Sequence, residues 1–293
     1  MRRSIFKNPW LPYLLVAPQL LVVLAFFFWP AIDSLRLSVF KVTPFGDRQV
    51  FVGLENFVEL CTSPEYGRSV LNSFIFSLGV TALGLAASLG LATLANQKLR
   101  GVSFYRTAVL WTYGIAPPVS GIIWLFIFHP SYGMIPYLLS MVTTYEFNWL
   151  LKGWIAMLLV IFAAAWAHLG YNIAFFLAGL QTIPESVKDA ARVDGASGFR
   201  LFRFITFPLL SPVTFFLFIM NMVFSFFETF GIIHAVTQGG PGDTTTIMVY
   251  KTYVDGFVHL RMGYSAAQSV ILMALVIVLT VLQFRYTERK VTY

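Results

Sequence analysis

The side chains of this sequence that can do chemistry are few, and most sit inside long apolar runs. His168, Tyr171 and Asn172 follow one another at offsets of three and one, which puts them on one face of a helix. Thr214, Asn221, Ser225 and Glu228, at offsets of seven, four and three, share a face of another. Polar groups in such surroundings hydrogen-bond either to a solute passing between helices or to the neighbouring helices, and the spacing supports both. Glu228 is nearest the end of its run, where an interfacial or structural place suits a carboxylate. The four histidines, His129, His168, His234 and His259, never approach the i, i+4 spacing of a helical zinc site, so no metal is expected. Cys61 is the single cysteine, which excludes an intrachain disulfide and a Cys-based zinc site. None of the seven lysines follows a glycine, so the chain lacks a G-x-x-x-x-G-K-[ST] phosphate loop. No nucleophile–base pair stands out, and the chain is not expected to be an enzyme.

The elements that carry these residues must live in lipid. The 293 residues are 58% hydrophobic and 11% charged, with thirty Phe and a mean hydropathy of +0.75, where an ordinary soluble chain carries about 25% charged residues. Six apolar stretches are long enough to cross a hydrocarbon core, which takes about 20 helical residues. They are 11–38, 70–96, 108–128, 153–180, 208–230 and 265–284. The first follows Arg2, Arg3 and Lys7 as a secretory signal would, but no small-residue cleavage site ends it. It reads as a retained helix, distorted at Pro18 and ended or kinked near Pro30. Ser77, Thr81, Gly84 and Ser88 make a small-residue stripe on the second stretch, as close helix packing requires. The expected fold is all-α: a single polytopic transmembrane domain over 1–293 with six spans.

Lysine and arginine set the orientation. Arg2, Arg3, Lys7, Lys98, Arg100, Arg106, Lys188, Arg192, Arg200, Arg203, Arg285, Arg289 and Lys290 flank one side of the spans. The longer alternate loops hold only Lys41, Arg48, Arg68, Lys152, Lys251 and Arg261. The richer side is cytoplasmic, so both termini and the loop 181–207 are expected there. Net charge +7 is therefore explained by a bilayer and calls for no nucleic acid.

The loop 181–207 is too ordered for a tether. Thr182 followed by Glu185 has the spacing of a capping box, and Pro184 suits a first helical turn, so a short helix is expected from 184 to about 193. Gly195 can take the left-handed conformation that ends it. Ser197 then caps a second helix with Phe199, Phe202 and Ile205 on one face, and Pro208 opens the fifth span. Ala190 and Ala191 at the tip leave room for another protein to approach closely.

Asp189-Ala190-Ala191, three residues, Gly195, nine residues, Ile205-x-Phe207-Pro208 resembles the EAA loop of bacterial importer permeases powered by ABC-type ATPases. The family pattern is Glu-Ala-Ala, three residues, Gly, nine residues, Ile-x-Leu-Pro. The spacing is kept throughout, with Asp189 in place of Glu and Phe207 in place of Leu. Thr237-Gln238-Gly239-Gly240-Pro241 with Thr244-Thr245-Thr246 is similar to the outer loop of the carbohydrate-type (maltose/glycerol-phosphate) group. WLPYLLVAPQL at 10–20, Val52-Gly53-Leu54 with Asn56-Phe57, and SAAQSVILM with VIVLTVLQFRY in the last span are similar to its glycerol-phosphate branch.

That resemblance implies a half-channel in the bacterial inner membrane, working by alternating access. Its partners would be a second homologous permease, a dimer of ABC ATPase subunits and a periplasmic substrate-binding protein. ATP and magnesium would be bound by the ATPase, leaving no cofactor on this chain. Asp189, Ala190, Ala191, Arg192, Asp194, Gly195, Ile205 and Pro208 would couple to the ATPase. His168, Tyr171, Asn172, Asn221, Ser225 and Glu228 are candidates for lining the path. The branch implies sn-glycerol 3-phosphate as cargo. No Lys or Arg lies in the middle of a span, which fits a permease whose binding protein does the selecting and fits a neutral sugar equally. An ion-coupled transporter would prefer acids near the midplane, which are absent.

Orientation is testable through Cys61, which the charge pattern puts outside. A membrane-impermeant maleimide is expected to label it in spheroplasts; labelling only after lysis would reverse the topology.

Overall fold

The computed structural model describes residues 10–44, 48–97, 101–143 and 147–288, without the side chains of 102, 103 and 286–288. Arg2, Arg3, Lys7, Lys98, Arg100, Arg289 and Lys290, which carry much of the orientation argument, lie outside the described residues. Among the described residues, three helices are long and apolar enough to cross a membrane: Leu11–Leu37, Pro64–Ala95 and Met262–Arg285. Three bent pairs bring the number to six when each is one span: Phe104–Gly114 with Pro117–Phe128, Gly153–Ala167 with Leu169–Thr182, and Gly198–Leu209 with Ser211–Phe227. Internal contacts gather the chain into two compact units. These are Met1–Ser63 with Thr252–Met273, and Pro64–Lys251 with Ala274–Tyr293.

In the first unit, α1 (Leu11–Leu37) keeps Pro18 inside it and passes Pro30 without stopping. A five-residue π turn, Leu24–Phe28, lies just before that proline. Pro30 has no N–H to give the preceding turn, and the wider turn absorbs the missing bond, so the expected break near Pro30 is a change of helical register instead. The loop after α1 holds a hairpin that the sequence reading did not find, β1 (Phe40–Val42) paired antiparallel with β2 (Gln49–Phe51), Lys41 opposite Val50. It is fastened by α2 (Glu55–Thr62), whose buried Asn56 donates from Nδ2 to the carbonyls of Ser38 and Phe40 at 2.8 and 3.0 Å.

In the second unit, α3 (Pro64–Ala95) is 32 residues long, about 48 Å at 1.5 Å per residue and so longer than a hydrocarbon core of about 30 Å. Its outer end starts six residues before the expected span. Ser77, Thr81, Gly84 and Ser88 are all buried, as the small-residue stripe requires. The third span bends by 105° between Gly114 and α5 (Pro117–Phe128); α4 (Val102–Leu110) precedes the bend. A short outer helix, α6 (Met134–Val142), follows. The fourth span is α7 (Gly153–Ala167) and α8 (Leu169–Thr182), bent by 49° at His168.

At α4–α8 the broken helices are stitched together. The amide of Gly170, at the start of α8, donates to Thr112 Oγ1 at 3.0 Å. A Cβ at Gly170 would lie 2.8 Å from that oxygen and 2.9 Å from the carbonyl oxygen of Leu110 and the amide of Tyr113. Only glycine lets the two breaks meet. Gly170→Ala is expected to lower stability by about 1–3 kcal/mol, the cost of overpacking a closed contact, read as a lower melting temperature in detergent with normal membrane insertion.

Candidate functional site

The elbow begins where α8 ends. Thr182 is the last residue of that helix and its hydroxyl donates to Gly179 O at 2.8 Å. The expected capping box is therefore not formed. Pro184 is the N-cap of α9 (Glu185–Val193), without a side-chain cap. Glu185 instead faces its own helix, with Lys188 at 3.1 Å and Arg192 at 3.4 Å. The Lys188 hydrogen bond and charge hold the Glu185 carboxyl below the usual carboxylate range, with Arg192 adding to the effect. Asp189, the departure from the family's Glu, pairs with Arg192 at 2.7 Å. These pairs lie at the surface, where water screens them, so each contributes little; together they order one face of the helix.

The end of α9 is closed by the backbone. Gly195 has φ +85°, its amide donates to Arg192 O at 3.0 Å, and the Ala196 amide donates to Ala191 O at 2.9 Å. Those two bonds are a complete Schellman cap. A Cβ at Gly195 would meet nothing within 4 Å, so glycine is required there by dihedral angle and not by space. Of the two tip alanines, Ala190 is exposed while Ala191 turns inward and is buried, so the expectation that both sit at the surface holds for Ala190 alone. A single helical step of 100° separates them onto different faces.

The second arm is α10 (Gly198–Leu209), which contains a π turn over Phe202–Thr206. Gly198 also has a positive φ, +52°, a second left-handed glycine that the sequence reading passed over. Phe199 is 77% exposed, whereas Phe202 and Ile205 are half-buried, so the expected apolar face is divided. Pro208 lies inside this arm and does not open the fifth span. That span is α11 (Ser211–Phe227), entered through a 68° bend at Leu210 with Pro212 in its first turn. Ile183 at the entrance of the elbow and Leu210 at its exit are both buried in one apolar cluster with Ala92, Ile173, Phe176, Leu180 and Leu217. Both feet of the elbow stand in the same core.

The polar faces of spans four and five meet inside the second unit. Asn172 and Asn221, both fully buried, exchange two hydrogen bonds, Asn172 Nδ2 to Asn221 Oδ1 at 2.9 Å and the reverse at 2.7 Å. Asn221 also donates to Leu217 O at 2.7 Å. Ser225 is buried and donates to Asn221 O at 2.6 Å. Gly84 of α3 lies against the pair: a Cβ there would be 3.3 Å from Asn221 Oδ1 and 3.4 Å from Asn172 Nδ2. In this conformation Asn172 and Asn221 bond two helices to one another, while Ser225 bonds back to its own helix.

His168 and Tyr171 stand apart from that knot. The His168 ring stacks on Phe224 at 4.2 Å and leans on Tyr171 at 4.7 Å, and its buried Nε2 has no hydrogen-bond partner. Glu228 is exposed and follows the end of α11, beside an open cavity of about 740 Å³ lined also by Pro118, Phe230, His234 and Gln238. The break after Glu228 was not anticipated, because the apolar run continues past it into α12 (Phe230–Val236). The outer loop at 237–246 is wedged by Asn72, which donates from Nδ2 to the Asp243 and Thr246 carbonyls at 3.0 and 3.3 Å.

A family model of the binding-protein-dependent transport system inner membrane component matches residues 10–293. The sn-glycerol-3-phosphate transport system permease protein UgpA of Rhizobium meliloti (strain 1021) is 50% identical over 295 residues, covering 100% of both chains. The protein of the same name from Brucella abortus biovar 1 (strain 9-941) is 48% identical, again over 100% of both. That of Escherichia coli O157:H7 is 47% identical over 99% of this chain and 98% of the relative. Among solved structures, a bacterial ABC transporter involved in the import of the acidic polysaccharide alginate superposes with a TM-score of 0.83 over 98% of both chains. At 20% identity that likeness is one of fold.

The buried amide pair yields a double-mutant test. Asn172→Ala and Asn221→Ala are each expected to lower stability by about 1 kcal/mol, and the double variant by clearly less than their sum. Additive losses in thermal unfolding would mean that the two amides do not act as a pair.

Proposed function

This chain belongs to the family of binding-protein-dependent transport system inner membrane components, and we propose that it forms half of the path by which an ATP-driven importer carries sn-glycerol 3-phosphate across the bacterial inner membrane. The observation that carries this reading is end-to-end similarity, with half of all residues identical to a permease named for that substrate. The chain is a non-catalytic membrane component. A second permease, a pair of ATPase subunits holding ATP and Mg²⁺, and a periplasmic binding protein complete the machine, and both termini face the cytoplasm.

Coupling runs through the elbow. Asp189, Ala190, Arg192, Asp194 and Gly195 present the tip to a cleft on the ATPase, while Ala191 packs inward and Ile205 and Pro208 belong to the returning arm. Because Ile183 and Leu210 are rooted among side chains of spans two, four and five, a push on the tip moves those spans together. Packed helices transmit such a displacement as a rigid-body rotation, which opens the cavity alternately to each side. Asn172 and Asn221 hold spans four and five in register during that rotation. His168, Tyr171 and Glu228 line the route, and His168 Nε2 offers an unused hydrogen-bonding atom to a passing hydroxyl.

Proteoliposomes containing the four components should take up labelled sn-glycerol 3-phosphate only with ATP, and excess maltose should not compete. Uptake of a neutral sugar without glycerol phosphate would discard the substrate and keep the machine. Within that assay Gly195→Val forces a β-branched residue into left-handed backbone at about 1–2 kcal/mol, enough to lower a docked population roughly tenfold. Membrane insertion should be normal and the ATPase should no longer copurify; retained coupling would sink the elbow mechanism.

A further inference from the structure

The cavity beside Glu228 has a definite chemistry. It opens where α11 gives way to α12, with Pro118 and Phe227 as apolar wall and Glu228, His234 and Gln238 as its polar groups. The rings of Phe230 and His234, which line the same cavity as Glu228, stack at 5.4 Å and 15°, with the buried Tyr250 ring 6.0 Å from Phe230 behind them. Among the described residues, no Lys or Arg lines the cavity. A carboxylate only accepts hydrogen bonds, the Gln238 amide both donates and accepts, and aromatic faces suit C–H groups. Those partners fit a polyol. They do not fit a phosphate, which a carboxylate repels and for which this cavity supplies no cation.

We infer that the Glu228 cavity receives the glycerol end of the substrate, its hydroxyls donating to the carboxylate, while the phosphate points away from this chain toward the second permease. The inference rests on the reading of the chain as a glycerol-phosphate permease and assigns Glu228 as a specificity-determining residue within it. It also requires that changes on the phosphate matter less to this chain than changes on the hydroxyls.

The test uses the complete transporter in proteoliposomes. It compares sn-glycerol 3-phosphate with its analogue lacking the terminal hydroxyl, each at a concentration that saturates the binding protein. The wild-type complex should carry the natural substrate at least about tenfold faster, because a site built to bond a hydroxyl rejects the molecule without it. Glu228→Ala should cut that preference to about threefold or less, while ATPase stimulation by the loaded binding protein stays intact. Glu228→Gln, which keeps one acceptor oxygen, should fall between. A merely structural role would lower both rates and leave their ratio unchanged, which overturns the inference. Faster natural-substrate uptake by Glu228→Gln would also overturn it, because the phosphate would then be what passes the carboxylate. If the wild type carries no glycerol phosphate at all, the transport reading fails before this inference is reached.

Discussion

Backbone polar groups inside a bilayer have no water to bond to, and each one left open costs several kcal/mol. That constraint governs every irregular feature of this protein. The third and fourth spans are broken, at 115–116 and at His168, and each break frees amides and carbonyls of its helix. The two breaks are answered by one another: Thr112, in the last turn before the first, accepts the Gly170 amide just after the second. The glycine is what lets the two chains come within bonding distance. A straight helix would need none of this, so the breaks mark places where the fold has traded regularity for shape.

The same scarcity of water gives polar side chains their role as fasteners. Lipid tails are as apolar as leucine, so apolar contact alone does not choose which helices meet. The reciprocal Asn172–Asn221 bonds choose spans four and five, and the small face of α3 at Gly84 lets the second span close over them. Serine and threonine hydroxyls along α11, from Thr214 to Ser225, bond back to their own helix and need no outside partner. What remains unsatisfied is therefore informative. His168 Nε2 is one of the buried atoms of the described residues without a hydrogen-bond partner, with Ser77 Oγ, Thr81 Oγ1 and Trp124 Nε1 among the others, while Glu228 is exposed beside its cavity.

Force transmission asks for the opposite property, a stiff connection through water. The elbow meets it with a Schellman cap at Gly195, ion pairs along α9 and two buried feet, Ile183 and Leu210, in a common apolar cluster. Its tip exposes Ala190, Val193 and Phe199, apolar groups that the chain itself leaves uncovered. A partner that covers them gains contact area and acts on a lever already joined to three spans.

Much of this was legible in order along the chain. Apolar length located six spans, the Asp-Ala-Ala…Gly spacing located the elbow, and Gly195 declared its left-handed turn, because each depends on neighbours within a few residues. Errors came where a local signal had two outcomes. Thr182 and Glu185 have capping-box spacing, yet Thr182 was already inside the preceding helix; Pro30 and Pro208 read as helix boundaries, yet wider π turns just ahead of each let the helix continue. The sequence alone determined that this is a polytopic membrane protein of six apolar stretches with a helix–Gly–helix elbow, since hydropathy and glycine dihedrals are local quantities. Only the tertiary structure decided that Asn172 and Asn221 bond each other, that Gly170 joins two breaks and that Glu228 faces a cavity. Those facts depend on which helices meet, and a helical face read from spacing says what it presents without saying to whom.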